Sequence, residues 1–180
     1  KPPRELALRT AVADSVHAAR GVHCSPLHIL IGAGSEYLLM LLAQILGTDM
    51  GIAMENPTYK QAYRVLKGEG YHVVPVGMDR YGMDVESLQA SGSMIAYVMP
   101  SHQYPTGIVM PVKRRQELLA WAYSGQGRYL IEDDYDSEFR YKGKPIPALQ
   151  GMDRGGRVIY MGTFSKSIAP ASRVGFMVLP

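Results

Sequence analysis

The sequence predicts a single α/β domain in three layers, with a mostly parallel sheet between helices on both of its faces. The 180 residues are 47% hydrophobic and 19% charged, which is the balance of a globular domain with one core. Short apolar runs alternate along the chain with segments in which apolar residues recur at helical spacing. This alternation is typical of strand–helix–strand units, whose strands pair in parallel and are covered on both sides.

The first predicted element is a helix near the N-terminus. Leu8, Val12, Val16 and Ala19 keep helical spacing, and Gly21 follows as a C-terminal cap. This pattern predicts a helix that ends before Gly21.

The remaining elements follow the same alternation. The predicted strands lie at residues 28–31, 51–54, 72–76, 94–99, 128–132, 157–161 and 173–179, and the further predicted helices at residues 36–46, 59–66, 84–90 and 111–123. In open parallel sheets ligands bind beyond the carboxyl ends of the strands. The segments that follow the predicted strands are therefore the places to look for chemistry.

Composition excludes several classes of function. The net charge of +3 is spread along the chain without a dense basic run, so nothing favours nucleic-acid binding by these residues. Cys24 is the single cysteine and cannot form an internal disulfide, and the five histidines lack the spacing of a metal site. The apolar stretch at residues 37–46 is too short to span a membrane. We expect a soluble cytoplasmic protein without a bound metal.

The segment after the predicted strand at 157–161 reads Gly-Thr-Phe-Ser-Lys and ends at Lys166. A lysine at a strand end, flanked by Thr163 and Ser165 and followed by Arg173, can lie near an aldehyde and an anion together. The plainer alternative is a solvated surface lysine, and this segment alone does not decide between the two.

Residues 132–136 crowd acidic groups around one phenol, in the order Glu132, Asp133, Asp134, Tyr135 and Asp136. Such crowding is repulsive unless a cationic group lies among them. An aspartate here would keep a ring nitrogen protonated, and the phenol could donate to an oxygen of the same ring. The alternatives are a solvated acidic turn or a calcium loop, and calcium is disfavoured because the required ligand spacing is missing.

The turn at residues 32–35 places Gly34 and Ser35 before a predicted helix, where free backbone N–H groups suit a phosphate. Glycine turns before helices are common, so this pattern is weak evidence alone.

The segment at residues 55–59 ends in Tyr59 just beyond a predicted strand. Its ring could stack on a flat cofactor, and the alternative is a tyrosine packed in the core.

Four separated segments then carry a family resemblance over essentially the whole chain. They are residues 100–107 (PSHQYPTG), residues 131–141 (IEDDYDSEFRY), residues 147–150 (PALQ), and GTFSK followed by Arg173-Val174-Gly175. The chain resembles the class I/II aminotransferases of fold type I, which depend on pyridoxal 5′-phosphate (PLP). More narrowly, it is similar to the aminotransferase-like domain of MocR-type transcriptional regulators of the GntR superfamily.

The resemblance implies roles for particular residues. Lys166 would form the imine with the cofactor's aldehyde. The residues implied for the phosphate are Thr163, Ser165 and Arg173 on one side, and Gly34 and Ser35 on the other.

For the cofactor ring, the resemblance implies that Asp133 pairs with the pyridine nitrogen, Tyr135 donates to O3′ and Tyr59 stacks on the ring. The residues expected to act in catalysis are Lys166, Asp133 and Tyr135. Asp134 remains the alternative to Asp133, because the commoner family pattern has one more residue between the acid and the tyrosine.

The chain departs from the commonest pattern at Tyr104, where many aminotransferases have asparagine before Pro-Thr-Gly. MocR-type proteins often have an aromatic residue there. The resemblance also implies that residues 1–180 are the central part of the PLP-binding large domain of a longer chain. The small domain with the arginine that binds the substrate carboxylate would follow Pro180, and a winged-helix DNA-binding domain would precede Lys1.

We therefore expect a PLP-binding domain of a regulator, in which an amine or amino acid forms an imine with the cofactor and changes DNA binding elsewhere in a homodimer. The alternative is a stand-alone class I/II aminotransferase. In either case an aminotransferase-type activity is expected only of the full-length protein, and the sequence does not identify the amino compound or establish turnover. A third alternative is a nucleotide-binding or structural α/β domain without covalent chemistry.

Overall fold

The computed structural model describes residues 3–136, 146–164 and 174–180. Its helices are α1 (Pro3–Arg20), α2 (Ser35–Leu46), α3 (Lys60–Gly68), α4 (Val85–Ala90), α5 (Val112–Tyr123) and α6 (Leu149–Met152), with a 3₁₀ turn at Pro26–His28. Its strands are β1 (Ile29–Gly32), β2 (Gly51–Asn56), β3 (His72–Asp79), β4 (Gly82–Met83), β5 (Ile95–Val98), β6 (Tyr129–Asp134), β7 (Val158–Thr163) and β8 (Gly175–Val178).

The strands form one sheet in the order β1-β8-β7-β6-β5-β2-β3-β4. The central strands β3, β2, β5, β6 and β7 pair in parallel. Strand β8 is antiparallel to both β7 and β1, and β4 is antiparallel to β3. The prediction of a mostly parallel sheet is confirmed, and antiparallel strands lie at both edges.

Helices cover both faces of the sheet, as predicted. On the first face, α2 and α3 bury Leu38, Leu42 and Leu66 against strand residues such as Ile52 and Ile131. We call the opposite side the second face. There α4, α5 and α6 pack over the centre of the sheet, and α1 packs over β7, β8 and β1. The domain therefore has three layers.

The helix predicted near the N-terminus is present as α1. Of the four residues that indicated it, Val12 and Val16 are buried, whereas Leu8 is 50% exposed and Ala19 is also exposed. Apolar periodicity therefore predicted the helix, but it does not show which side of a helix meets the sheet.

Several strands extend further than predicted, and two of these extensions matter for the site. Strand β2 continues to Asn56, paired with Gly77 of β3, and β6 continues to Asp134, paired with Gly162 of β7. The acidic residues Asp133 and Asp134 are therefore strand residues, where a loop was predicted. Backbone pairing with neighbouring strands outweighs the low strand propensity of aspartate here.

The sequence did not predict β4 or α6. Strand β4 closes a short hairpin with β3, and the turn is held because the backbone N–H of Tyr81 donates to Asp79 Oδ1 over 2.7 Å. Helix α6 has only four residues. Both elements are too short to give a periodic pattern.

Arg115 fixes the loop between β5 and α5. Its side chain is fully buried, and its guanidinium donates to the carbonyl oxygens of Met110 (2.8 Å), Pro100 (3.0 Å) and Pro147 (2.8 Å). Burial lowers its pKa. Since three carbonyl groups from two segments share this cation, the segment with Pro-Thr-Gly is held against the segment before α6.

Candidate functional site

A cavity of about 430 Å³ opens at the carboxyl ends of the central parallel strands. The site residues predicted from the sequence that line it are Gly34, Ser35, Tyr59, Asp133, Tyr135 and Thr163. The other lining residues are Ala33, Glu36, Met99, Tyr104 and Val174. Residues far apart in the sequence thus meet because β2, β5, β6 and β7 end at the same edge of the sheet.

Three predicted site residues, Ser165, Lys166 and Arg173, lie outside the described residues. Thr163 precedes that segment and Val174 follows it, and both residues line the cavity. The backbone N–H of Phe164 donates to the carbonyl oxygen of Val174 over 2.9 Å.

Asp133 lies on the first face of the sheet and reaches the cavity from strand β6. It is 5% exposed, and the hydroxyl of the buried Tyr97 donates to its Oδ2. The pKa of Asp133 is raised to about 6, mainly by burial; the Tyr97 hydrogen bond opposes this rise, and the charges of Asp134 and Asp136 add to it. The carboxyl group is therefore held in an environment that disfavours its charge unless a cation enters the cavity.

Asp134 lies on the second face, because successive strand residues alternate. Its Oδ2 accepts hydrogen bonds from Arg20 Nε and from the hydroxyl of Tyr160, each over 2.7 Å. Arg20 also donates to Ser101 Oγ over 2.5 Å. A cation among the crowded acidic residues is thus Arg20, the last residue of α1, and it pairs with Asp134.

Tyr135 follows the end of β6 and lies beside a histidine that the sequence did not single out. Its hydroxyl is 3.2 Å from Nδ1 of His102, and the two rings stack with centroids 6.0 Å apart. Asp136 Oδ2 is 2.6 Å from the same nitrogen. Burial, followed by the charges of Asp136 and Asp133, raises the pKa of Tyr135 to about 12.

Tyr59 and Tyr104 form an aromatic wall of the cavity. Their ring centroids are 6.0 Å apart in an edge-to-face arrangement, and Tyr59 also packs against the core of the first face. Gln103 joins the two loops, since its Nε2 donates to the carbonyl oxygen of Pro57 over 2.9 Å. Tyr59 therefore combines the core packing and the cavity position that the sequence had offered as alternatives.

Gly34 caps the N-terminus of α2 with a φ of 94°, which is the region that favours glycine. A Cβ built on Gly175 would lie 3.2 Å from the carbonyl carbon of Gly34, so glycine at 175 lets β8 pass close to this turn. The first turn of a helix leaves N–H groups without intrahelical acceptors. At Ser35 and Glu36 this turn faces the cavity and suits an anion.

Glu132 is a buried carboxyl that sequence reasoning did not assign. It accepts hydrogen bonds from the backbone N–H groups of Leu149 and Gln150, each over 2.8 Å. Burial, with the charge of Asp134, raises its pKa to about 7. Glu132 thus holds the Pro-Ala-Leu-Gln segment against β6. This contact is a structural role for one of the four segments that carry the family resemblance.

In the parts of the chain that the structure describes, no three His, Cys, Asp or Glu side chains are grouped so that they could hold a metal ion. The helices of those same parts are also too short or too polar for any of them to cross a membrane.

Comparison with known proteins identifies the family to which this chain belongs. The family model "Aminotransferase class I and II" matches residues 2–180. The chain therefore belongs to the class I and II aminotransferase family.

Curated relatives include transcriptional regulators. The chain is 43% identical over 98% of its length to the uncharacterized HTH-type transcriptional regulator YdeL of Bacillus subtilis (strain 168). It is 39% identical over 96% of its length to the probable rhizopine catabolism regulatory protein MocR of Rhizobium meliloti. The chain spans 38% and 35% of the lengths of these two relatives.

Among solved structures, the kynurenine aminotransferase of Pyrococcus horikoshii, in complex with PMP, superposes with a TM-score of 0.83. It is 30% identical, and the match covers 97% of this chain and 45% of that chain. The family and the solved structures with PMP or a phosphopyridoxyl compound indicate PLP as the cofactor.

The described residues fit that cofactor. The cavity offers a buried carboxyl at Asp133 for a ring cation, a phenol at Tyr135 for a ring oxygen, and a helix N-terminus at Gly34 and Ser35 for a phosphate.

Proposed function

We propose that residues 1–180 are the central part of the PLP-binding large domain of a MocR-type regulator of the GntR superfamily. In this proposal an amine or amino acid reacts with the bound cofactor, and the response changes DNA binding by another part of the longer chain. The observation that carries the proposal is one cavity with an acid, a phenol, aromatic rings and a helix N-terminus, in a chain whose relatives include regulators.

Each side chain has a proposed task at the cofactor. Lys166 forms the covalent link to the aldehyde. The proposed phosphate contacts are Thr163, Ser165 and Arg173 on one side and Gly34 and Ser35 on the other. This set fits the anion because it combines a cation, hydroxyl groups and backbone N–H groups.

The ring contacts follow from the chemistry of the donors and acceptors. Bound PLP withdraws electrons from the carbon next to a substrate's amino group. Asp133 is the proposed acceptor for the ring N–H, Tyr135 the proposed donor to O3′, and Tyr59 the proposed stacking partner. Asp133 is favoured over Asp134 because the carboxylate of Asp134 is already bound by Arg20 and Tyr160 on the other face of the sheet.

We further propose that the full-length protein is a cytoplasmic homodimer. Helix α2 exposes Tyr37 (46%), Met40 (46%) and Ile45 (55%) on one side, and a second copy would cover such an apolar stripe. DNA would be bound only through a domain outside these residues.

The covalent link is tested with the full-length protein loaded with PLP. Borohydride reduction should fix the cofactor on the peptide that contains Lys166, and Lys166→Ala should abolish this labelling while weak PLP binding remains. Lys113→Ala, at an exposed lysine of α5, is the matched control and should label like the wild type. Cofactor fixed on a different lysine would refute the assignment.

The regulatory role is tested by measuring DNA affinity of the full-length protein with and without candidate amines. A change that depends on the amine and disappears in Lys166→Ala supports the proposal.

A stand-alone aminotransferase is the second candidate, favoured by the 30% identity and close superposition to the kynurenine aminotransferase. In that case Lys166 would also move the proton at the substrate's Cα. Steady conversion of amino and keto acids by the full-length protein, without any amine-dependent DNA binding, would select this candidate.

A further inference from the structure

The direction of the Tyr135 hydroxyl group is not fixed by the β-sheet. Strand β6 ends at Asp134, so Tyr135 stands in the turn that follows, and its backbone lies beyond the β-ladder. Its ring is only partly buried against the core of the first face. Side-chain contacts must therefore set the direction of the hydroxyl group.

His102 supplies these contacts from the loop after β5. Its ring lies nearly parallel to that of Tyr135, with an angle of 16° between the ring planes, and its Nδ1 is 3.2 Å from the tyrosine hydroxyl. The side chain of His102 is 37% exposed, so core packing does not account for its position.

Asp136 determines how His102 shares its proton. Asp136 Oδ2 is 2.6 Å from Nδ1, and a carboxylate can only accept, so Nδ1 carries the hydrogen. A protonated Nδ1 cannot accept the phenol hydrogen from Tyr135. The phenol oxygen can accept a share of the Nδ1–H bond. A hydrogen bond with Asp136 also contributes to the raised pKa of the phenol, so Asp136 competes for the phenol hydrogen. Because the Nδ1–H of His102 occupies Asp136 Oδ2, it leaves the phenol hydrogen to an acceptor in the cavity.

We infer that His102, oriented by Asp136, is a positioning residue that keeps the Tyr135 hydroxyl directed as a donor into the cavity. The inference rests on the proposed function, in which the acceptor in the cavity is O3′ of PLP. His102 itself does not line the cavity among the described residues and acts through Tyr135.

The test uses the full-length protein with bound PLP and follows its visible absorption as a function of pH. Donation to O3′ stabilises negative charge on that oxygen, so loss of the donor should raise the pH midpoint of the colour change. Tyr135→Phe defines the full effect, which we expect to be about one pH unit. His102→Phe keeps an aromatic ring but removes the N–H, and should give at least half of that shift.

Two further variants separate positioning from general damage. His102→Asn places an N–H near the position of Nδ1 and should restore most of the wild-type midpoint. His72→Gln, at an exposed histidine of β3, should leave the midpoint unchanged. The double variant His102→Phe with Tyr135→Phe should shift no further than Tyr135→Phe alone, because both changes remove the same hydrogen bond.

The inference is overturned if His102→Phe titrates like the wild type, or if its shift adds to that of Tyr135→Phe. Should His102→Phe fail to fold, His102→Gln carries the same test, since its amide reaches past the Nδ1 position and should also raise the midpoint. A full-length protein that binds no PLP would refute the proposed function itself. A shift in Tyr135→Phe without one in the His102 variants would refute this inference alone.

Discussion

Asp133 and Asp134 are neighbours on strand β6, but their carboxyl groups lie on opposite faces of the sheet in opposite electrostatic situations. Asp134 is paired with Arg20 and bonded to Tyr160, so its charge is matched within the protein. Asp133 is bonded to Tyr97, and burial raises its pKa to about 6 at the wall of the cavity. Loss of one member of a buried ion pair destabilises the fold because its partner is left buried and uncompensated, whereas an acid held in an unfavourable environment is suited to receiving a cationic ligand.

The largest expected effect is on stability at the Arg20 side. Asp134→Ala in the full-length protein should lower the free energy of unfolding by about 3–5 kcal/mol, because Arg20 is left buried without its partner. PLP affinity of the folded fraction should change much less than in Asp133→Asn, because the carboxyl group of Asp134 lies on the opposite face of the sheet from the cavity. Denaturant unfolding and cofactor titration measure the two quantities.

Glu117→Ala is the matched control for Asp134→Ala. Glu117 also pairs with an arginine, Arg114, but its side chain is 41% exposed and Arg114 keeps its pair with Asp79, so the loss should stay below about 1 kcal/mol. Equal losses in the two variants would contradict the distinction between the buried pair and the exposed pair.

The next effect concerns the cofactor. Asp133→Asn should weaken PLP binding by about 10- to 100-fold, because a neutral amide cannot pair with a protonated ring nitrogen. Any proton transfer at a substrate's Cα should fall more than covalent attachment does. If Asp134→Asn gave the greater loss of cofactor affinity, the ring partner would be one position later in the sequence.

The cofactor-free protein should show a pH dependence that Asp133→Asn removes. Folding raises the pKa of Asp133 from 3.8 to about 6, so its proton is held more tightly in the folded state. Its stabilising contribution is complete below about pH 3.8 and is lost as the pH rises through about 6. Relative to Asp133→Asn, the wild type should lose about 2 kcal/mol between pH 4 and pH 7. A constant difference between the two proteins across this range would show that Asp133 titrates normally.

The smallest expected effects are those of replacing the two tyrosines that donate hydrogen bonds to Asp133 and Asp134. Both Tyr97 and Tyr160 are fully buried, so replacement of either by Phe should cost about 1 kcal/mol of stability. Only Tyr97→Phe should alter the visible absorption of bound PLP. A spectral change of equal size in Tyr160→Phe would mean that the two faces are coupled at the cofactor.

Local sequence patterns were sufficient for the layered architecture. The alternation of apolar runs and helical stripes predicted most strands and helices, and the confirmed family and PLP cofactor follow from segments such as Gly-Thr-Phe-Ser-Lys and Pro-Thr-Gly. The proposed roles of Lys166, Ser165 and Arg173 stay predictions, because these residues lie outside the described part of the chain. The roles proposed for Asp133 and Tyr135 at the cofactor also stay predictions.

Partners distant in the sequence were beyond the reach of those patterns. The sequence contains Arg20, His102 and Glu132 without any local signal for their contacts, since each meets its partner only when strands and helices come together. The same limit applies to α1, since the side of the helix that packs against β7 and β8 is set by the tertiary structure.

By itself, the sequence determined the fold class, the family and which residue types are available near the strand ends, because periodicity and short motifs are local properties of the chain. Only the tertiary structure decided that Asp133 faces the cavity and Asp134 faces Arg20. The physical reason is that side chains alternate along a strand, and which face receives which acid depends on the register of β6 against its neighbours.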